Sequence, residues 1–182
     1  MSLSVNISAP LLTVFILKDL GFSYAVYMAL ITGAAFANFM TQQIWGHYGD
    51  RVGNAKAMKL AGWGIAVIPF FWLVSRNAAY LFVVQCFAGS VWGGFNLVLV
   101  NFIIESVSPE KRIRCISYFN VMNSLFVFLG AVLGGLAIHR LPALFGYSFL
   151  SLFLLSCVAR LAVMAFLSKK VREVRRLYPA GA

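Results

Sequence analysis

Few residues of this chain have the types and spacing that catalysis or metal binding requires. Ser90 stands in the sequence GSVWG, but a six-helix intramembrane serine protease needs a histidine in its sixth helix, and no histidine follows His139, so the nucleophile would have no base to activate it. The histidines have no neighbours at metal-ligand spacing, and the three cysteines fall on separate apolar segments, at Cys86, Cys115 and Cys157. We therefore predict no catalytic residue, no metal site and no cofactor.

Charge and glycine are concentrated in one short stretch, WGHYGDRVG, at residues 45–53. Glycines such as Gly46 and Gly53 let the chain reverse direction and let two helices approach each other closely. Asp50 can accept hydrogen bonds from the exposed amides at the start of a neighbouring helix, where the helix dipole favours negative charge. Arg51 can form a bidentate pair with another acid. Together these contacts would hold helix ends together.

A polar face is predicted in the middle of the chain, where Gln85, Gly89, Trp92 and Asn96 are spaced four, three and four residues apart. Polar groups in apolar surroundings cost free energy unless they are paired or hydrated, so this face is a candidate wall of a solute cavity. Helix packing is the alternative, because Gly89 and Gly93 have the spacing of a close helix contact.

Other asparagines are candidates for the same cavity. They are Asn6 near the N-terminus and the pair Asn120 and Asn123. The face that holds this pair continues to Gly130 and Gly134, which favours close helix packing. Hydrogen bonds between helices are therefore the alternative to solute contact for each of these asparagines.

The composition places these residues in a membrane. Hydrophobic residues make up 62% of the 182 residues and charged residues only 11%, and the mean hydropathy is +0.87, which leaves too little polar surface for a soluble globule. Several charge-free runs exceed the ~20 residues that span a bilayer as helix. We predict an all-α integral membrane protein, a bundle of six transmembrane helices at about 3–18, 22–45, 56–75, 78–104, 112–138 and 142–168, followed by a basic tail at 169–182.

The basic residues are distributed unequally between the two sides of the predicted bundle. Eleven lysines and arginines lie beside the second and fourth connections and in the tail, against three on the other side. This bias predicts that the loops 46–56 and 105–112 and the C-terminus are cytoplasmic, in a plasma or inner membrane. The net charge of +10 then suits anionic lipid headgroups, and we predict no nucleic-acid partner.

One charge falls inside a predicted span. Arg160 lies about two turns from the cytoplasmic end of the last segment, and we expect its long side chain to reach the interface. All five acids lie at or beyond segment ends, at Asp19, Asp50, Glu105, Glu110 and Glu173. Proton coupling would need an ionisable group at mid-membrane, so it would have to come from outside this chain.

The stretch WGHYGDRVG resembles the loop motif of the major facilitator superfamily, which runs roughly G-x-x-x-D-R-x-G-R-K. It stands between the second and third segments, as it does in that family. The resemblance implies a transporter rather than an enzyme. The chain departs from the pattern at Asn54 and Ala55, where the family has basic residues, and Lys56 and Lys59 are the nearest substitutes.

The stretch SVSPEKRIR, residues 106–114, is similar to the family loop P-x-x-R-A-R before the fifth helix of a half. In the family, the acid that ends the fourth helix joins a charge network with the motif Asp and Arg, and Glu105 matches that acid. The resemblance thus predicts a conformational latch formed by Gly46, Asp50, Arg51, Gly53, Glu105 and Arg112. Ordinary solvated loop charges are the alternative.

The resemblance covers essentially the whole chain, yet only one six-helix half of a twelve-helix fold. We expect the C-terminal half, with Met1 falling inside the seventh helix of the complete fold. The implied function is transport of a small solute by alternating access, with the lipid bilayer and a second six-helix half, either an N-terminal half or another copy, as partners. The alternatives are a homodimeric half-transporter and a non-transporting membrane interaction protein. Substrate identity, coupling ion and direction are not predicted.

Overall fold

The computed structural model describes residues 1–138 and 148–171. It confirms the all-α membrane fold, because six helical spans are long and apolar enough to cross a bilayer. The first span consists of α1 (Ser2–Asn6), α2 (Ala9–Val14) and a π-helical turn (Phe15–Asp19). The others are α3 (Tyr24–Val52), α4 (Asn54–Val74), α5 (Ala78–Ser106), α6 (Pro109–Ile138) and α7 (Ser148–Lys170). Residues 142–147 of the predicted sixth segment and 172–182 of the tail lie outside the described residues.

The first span is broken by its own sequence. Pro10 has no amide hydrogen, and it stands at the start of α2, where a helix does not need that donor. Before the break, the Val5 carbonyl accepts from the amide of Ser8, three residues on, at 3.3 Å. Between α1 and α2 the regular i→i+4 pattern is therefore lost, and the Val5 carbonyl is open to donors from other helices.

The connection between α3 and α4 is much shorter than the loop predicted at 46–56. Helix α3 continues through Val52, and α4 begins at Asn54, so Gly53 alone separates them. Gly53 has φ 97° and ψ 144°, a conformation that residues with a Cβ rarely adopt. One such glycine is enough to end a helix and turn the chain, which is why the charged residues before it remain helical.

Glycines bring α3 and α5 into the most extensive helix contact among the described residues. A Cβ built on Gly89 would lie 2.0 Å from the carbonyl oxygen of Ala34, and one on Gly93 would lie 2.8 Å from Oδ1 of Asn38. The two backbones can approach this closely only because these positions lack side chains. The packing interpretation of the Gly89–Gly93 spacing is thus correct for this face.

The core of the bundle is centred on α4. Half of the most apolar stretch of α4 is buried within this chain, against 6% of the corresponding stretch of α3. Phe15 packs edge-on against Trp72 of α4 and Phe153 of α7, with ring centroids 6.2 and 5.2 Å away. This aromatic cluster ties the first span, α4 and α7 together, and two of its members, Trp72 and Phe153, line the cavity described next.

Candidate functional site

A cavity of about 310 Å³ lies between the helices, with walls from the first span, α3, α4, α5 and α7. Its polar lining includes Ser8, Asn38, Gln85 and Arg160, and its apolar lining includes Trp72. The volume falls in the ~300–1,000 Å³ range of small-molecule sites, and a mostly apolar wall with a few polar groups is typical of them.

The predicted polar face of α5 divides between two cavities. Gln85, Gly89 and Trp92 line the larger cavity, and Trp92 continues with Asn96 into a second one of about 180 Å³. Gln85 is buried, at 7% exposed, and within the described part of the chain its amide makes no side-chain hydrogen bond. Gly89 has two roles, since it lines the cavity and also permits the contact with Ala34.

The other predicted asparagines have different surroundings. Asn6 and Asn123 line the second cavity, where they are linked through Ser2: its hydroxyl donates to Oδ1 of Asn123, and its carbonyl accepts from Nδ2 of Asn6 at 2.9 Å. These contacts join α1 to α6. Asn120 is exposed and belongs to neither cavity, because it lies on the outward side of α6.

The expectation that the Arg160 side chain reaches the membrane interface is wrong. It is only 4% exposed and points into the bundle. Its Nε donates to Oγ of Ser156 at 3.1 Å, and its Nη2 donates to the carbonyl of Val5 at 3.3 Å and to Oγ of Ser8 at 3.1 Å. Its Nη1 donates to the carbonyl of Ile65 at 3.2 Å. The guanidinium thus joins α7 to the first span and to α4, and it forms part of the cavity wall.

Breaks in the two neighbouring helices explain why an arginine is accommodated there. The Ile65 carbonyl would normally accept from the amide of residue 69, but that residue is Pro69, which has no N–H. The Val5 carbonyl lies just before the break in the first span. Arg160 therefore donates to carbonyls that regular helices would have used internally.

Serine hydroxyls complete the network around the guanidinium. Ser8 donates to Oγ of Ser156 at 3.0 Å, and Ser156 donates to the carbonyl of Ser4 at 2.7 Å. Each of the three serines is buried, with exposures of 4%, 2% and 0% for Ser4, Ser8 and Ser156. Buried hydroxyls need such partners, which Ser8 and Ser156 find in each other and in Arg160, while Ser4 takes part through its main-chain carbonyl.

The predicted latch residues lie at one end of the bundle. Gly46, Asp50 and Arg51 occupy the last turns of α3, with Asp50 and Arg51 exposed. Glu105 is in the last turn of α5, and its Oε2 is buried. Arg112 is on α6, and its Nε donates to the carbonyls of Ile104 and Val107 at 3.0 and 3.2 Å. Arg112 thus caps the C-terminus of α5, where carbonyls lack helical partners.

The departure from the family motif at residues 54 and 55 has a packing reason. Asn54 and Ala55 are 2% and 1% exposed. A Cβ on Gly49 would lie 2.8 Å from Oδ1 of Asn54, so the asparagine fills the space that this glycine leaves. A basic side chain at either position would have to be buried, which is unfavourable without an acidic partner. Lys56, by contrast, is exposed.

Comparison with known proteins identifies the family. The model of the family described as Major Facilitator Superfamily matches residues 1–182. The chain belongs to the major facilitator superfamily. It is therefore an integral membrane protein of a transporter family.

Curated relatives of this major facilitator chain include pumps from fungi and bacteria. The efflux pump azaK of Aspergillus niger is 26% identical over 117 residues, 64% of this chain and 24% of the relative. The multi-drug resistance efflux pump PmrA of Streptococcus pneumoniae is 25% identical over 148 residues, 76% of this chain and 34% of the relative. The uncharacterized MFS-type transporter YuxJ of Bacillus subtilis is 27% identical over 154 residues, 81% of this chain and 38% of the relative. The matches thus span a quarter to two fifths of these relatives' lengths.

Sequence reasoning missed Arg160 as part of the cavity of this major facilitator chain. Two signals were present in the sequence: Ser156 stands four residues before Arg160 on the same helical face, and Pro69 predicts an unused carbonyl in another span. Neither signal shows that the two helices meet. Within the described residues, no three His, Cys, Asp or Glu side chains are placed to hold a metal ion.

Proposed function

We propose that this chain forms one six-helix half of a secondary transporter, which moves a small solute by alternating access together with a second half, and that the cavity within this half takes part in binding the solute. Membership of the family supports transport, and the matches to parts of longer relatives support a partial unit. The relatives azaK and PmrA are named as efflux pumps, which favours export as the direction.

The observation that carries the proposal is the 310 Å³ cavity. It takes walls from five of the six spans, so a change in helix packing on either side would alter its shape. Gln85 and Arg160 bring polar atoms to it, and Trp72 and Trp92 bring aromatic surface. A solute with one polar and one apolar portion fits such a wall.

The latch is the second part of the proposal. Gly46, Asp50, Arg51 and Gly53 lie at the α3–α4 corner, and Glu105 and Arg112 lie at the α5–α6 corner. Closing the two corners together would hold one side of the transporter shut, and parting them would open it. The excess of basic residues on this side predicts that it is the cytoplasmic side.

The first experiment measures the size of the native polypeptide. A C-terminal epitope tag on the chromosomal gene, followed by an immunoblot of membranes, reports it directly. A band near twice the 20.1 kDa of this chain supports a transporter with both halves in one polypeptide. A band near 20.1 kDa favours a homodimeric half-transporter or a membrane interaction protein, which crosslinking in membranes would distinguish.

A transport assay tests the cavity itself. Cells that express the protein are loaded with neutral, cationic or carboxylate-bearing fluorescent dyes, and the initial rate of efflux is measured. Gln85→Leu removes a buried amide from the cavity and is expected to slow efflux of the transported dye about two- to tenfold. Ser124→Leu, at an exposed position on α6, is the matched control and should not change the rate. Equal rates with and without the protein, for every dye, would contradict transport of such solutes.

A further inference from the structure

Arg160 is a buried cation whose described partners are all neutral. Its hydrogen bonds go to two main-chain carbonyls and to the hydroxyls of Ser8 and Ser156. The five acids of the chain lie at or beyond helix ends in the sequence, away from the middle of α7. An arginine keeps its charge at neutral pH, and a buried charge is costly without an opposite one. The network therefore orients the guanidinium without neutralising it.

The guanidinium also has donor capacity that the network does not use. It carries five N–H groups, of which Nη1 has two. The described residues provide Nη1 with one acceptor, the Ile65 carbonyl at 3.2 Å. Because Arg160 is part of the cavity wall, the remaining donor is available to a molecule in the cavity.

A second unused polar group faces the same space. Gln85 lines the cavity, is 7% exposed, and makes no side-chain hydrogen bond to another residue in the described part of the chain. An amide that faces a cavity without a protein partner can donate a hydrogen bond to a molecule in the cavity or accept one from it. The cation and the amide thus supply two anchors on different walls, and Trp72 supplies an aromatic wall.

We infer that the cavity binds the carboxylate group of a small organic anion through Arg160. A carboxylate can accept a charge-assisted hydrogen bond from the remaining Nη1 donor, and it supplies the missing negative charge. The apolar lining would hold the organic portion, which an inorganic anion lacks. This inference rests on the proposed function, because it names the chemical class of the transported solute.

The test is an equilibrium binding experiment on the purified full chain in detergent. Radiolabelled benzoate is the probe, because it joins one carboxylate to one apolar ring, and benzamide is the matched neutral competitor. Benzoate should bind saturably, and unlabelled benzoate should compete at least about tenfold better than benzamide, as expected for a charge-assisted hydrogen bond. Absence of saturable benzoate binding would overturn the inference, as would equal competition by benzamide or by sodium chloride.

Variants locate the binding site. Arg160→Gln should weaken benzoate binding about ten- to a hundredfold. Arg114→Gln removes an exposed arginine from α6 and should leave binding unchanged.

Because Arg160→Gln also removes structural hydrogen bonds, Ala35→Phe provides an independent test. Ala35 is exposed at the cavity rim, so the larger side chain blocks entry and leaves Arg160 intact. Wild-type affinity in either folded cavity variant contradicts binding at Arg160.

Binding and transport can fail separately. Benzoate binding without efflux of any dye would support the anion site and contradict the proposed transport. Efflux of neutral or cationic dyes, with no benzoate binding, would support transport and overturn the assignment of a carboxylate-bearing solute.

Discussion

Arg160 is held in the bundle by irregularities in two other helices. Pro69 leaves the Ile65 carbonyl without its usual amide, and the break before α2 leaves the Val5 carbonyl exposed to other donors. The same guanidinium serves both, at 3.2 and 3.3 Å. The proline and the arginine are therefore expected to depend on each other energetically, although 91 residues separate them in the sequence.

A double-mutant cycle measures this dependence. Pro69→Ala restores an amide that can donate to the Ile65 carbonyl within α4. Replacement of Arg160 by glutamine should then destabilise the Pro69→Ala protein less than the wild type, by about 1 kcal/mol. Unfolding in detergent with increasing SDS, followed by tryptophan fluorescence, gives the four stabilities. Equal costs in both backgrounds would show that Arg160 does not compensate for the proline.

Gly53 is a second position where a single residue determines local structure. Its φ of 97° at the α3–α4 corner favours glycine. Gly53→Ala is expected to lower the free energy of unfolding by about 1–3 kcal/mol. Gly135→Ala is the matched control, since it lies in α6 with no atom within 4 Å of the added Cβ, and alanine there should be neutral or stabilising by up to ~1 kcal/mol. The same SDS titration measures both, and similar effects would contradict a strained conformation at Gly53.

The α3–α5 pair shows how two long helices combine packing and cavity formation. Glycines on α5 bring the backbones together, and beside this contact Asn38 and Gln85 face the cavity. The polar face predicted on α5 is therefore partly a packing surface and partly a cavity wall. Solute contact by the cavity-facing residues stays a prediction.

Close packing of this pair predicts a strong effect of one added methyl group. Gly89→Ala would place its Cβ 2.0 Å from the Ala34 carbonyl oxygen, so α5 must move away from α3. We expect a loss of about 1–3 kcal/mol of stability. Gly46 lies at the same helix contact, but a Cβ added there would be 3.7 Å from the Leu97 side chain, an ordinary van der Waals distance. Gly46→Ala should therefore leave the stability almost unchanged. Equal unfolding midpoints for the two variants would contradict the described approach of the helices.

The six spans and their connections define two ends of the bundle. One end carries the α3–α4 and α5–α6 corners with the latch residues, and the other carries the α4–α5 connection at Arg76. The excess of basic residues predicts that the first end is cytoplasmic.

Cysteine accessibility tests this orientation. In a background without Cys86, Cys115 and Cys157, a cysteine is placed at the exposed Ser108 or Arg76 position, one at each end. A membrane-impermeant maleimide should label the Ser108→Cys protein only in inside-out vesicles. It should label the Arg76→Cys protein only in intact cells or spheroplasts. The reverse pattern would invert the predicted topology, and the latch would then face the other side of the membrane.

The family, the six spans and the charge bias follow from the order of residues, because hydropathy and the WGHYGDRVG motif act over short stretches of chain. The spacing of Gln85, Gly89, Trp92 and Asn96 likewise indicates which residues form the polar face of α5. Helix bounds are less well predicted. Charged residues 50 and 51 suggest a loop, whereas helical hydrogen bonding continues until Gly53 supplies the conformation that ends it.

The direction of each side chain depends on contacts between distant segments. Arg160 meets the Val5 and Ile65 carbonyls across 155 and 95 residues, and only the packing of α7 against those spans turns it inward rather than to the interface. Asn120 and Asn123 stand on one helix, yet the rotation of α6 exposes the first and places the second beside Ser2. Helix rotation is set by the sum of all packing contacts, whereas helical periodicity fixes only which residues of one helix share a face.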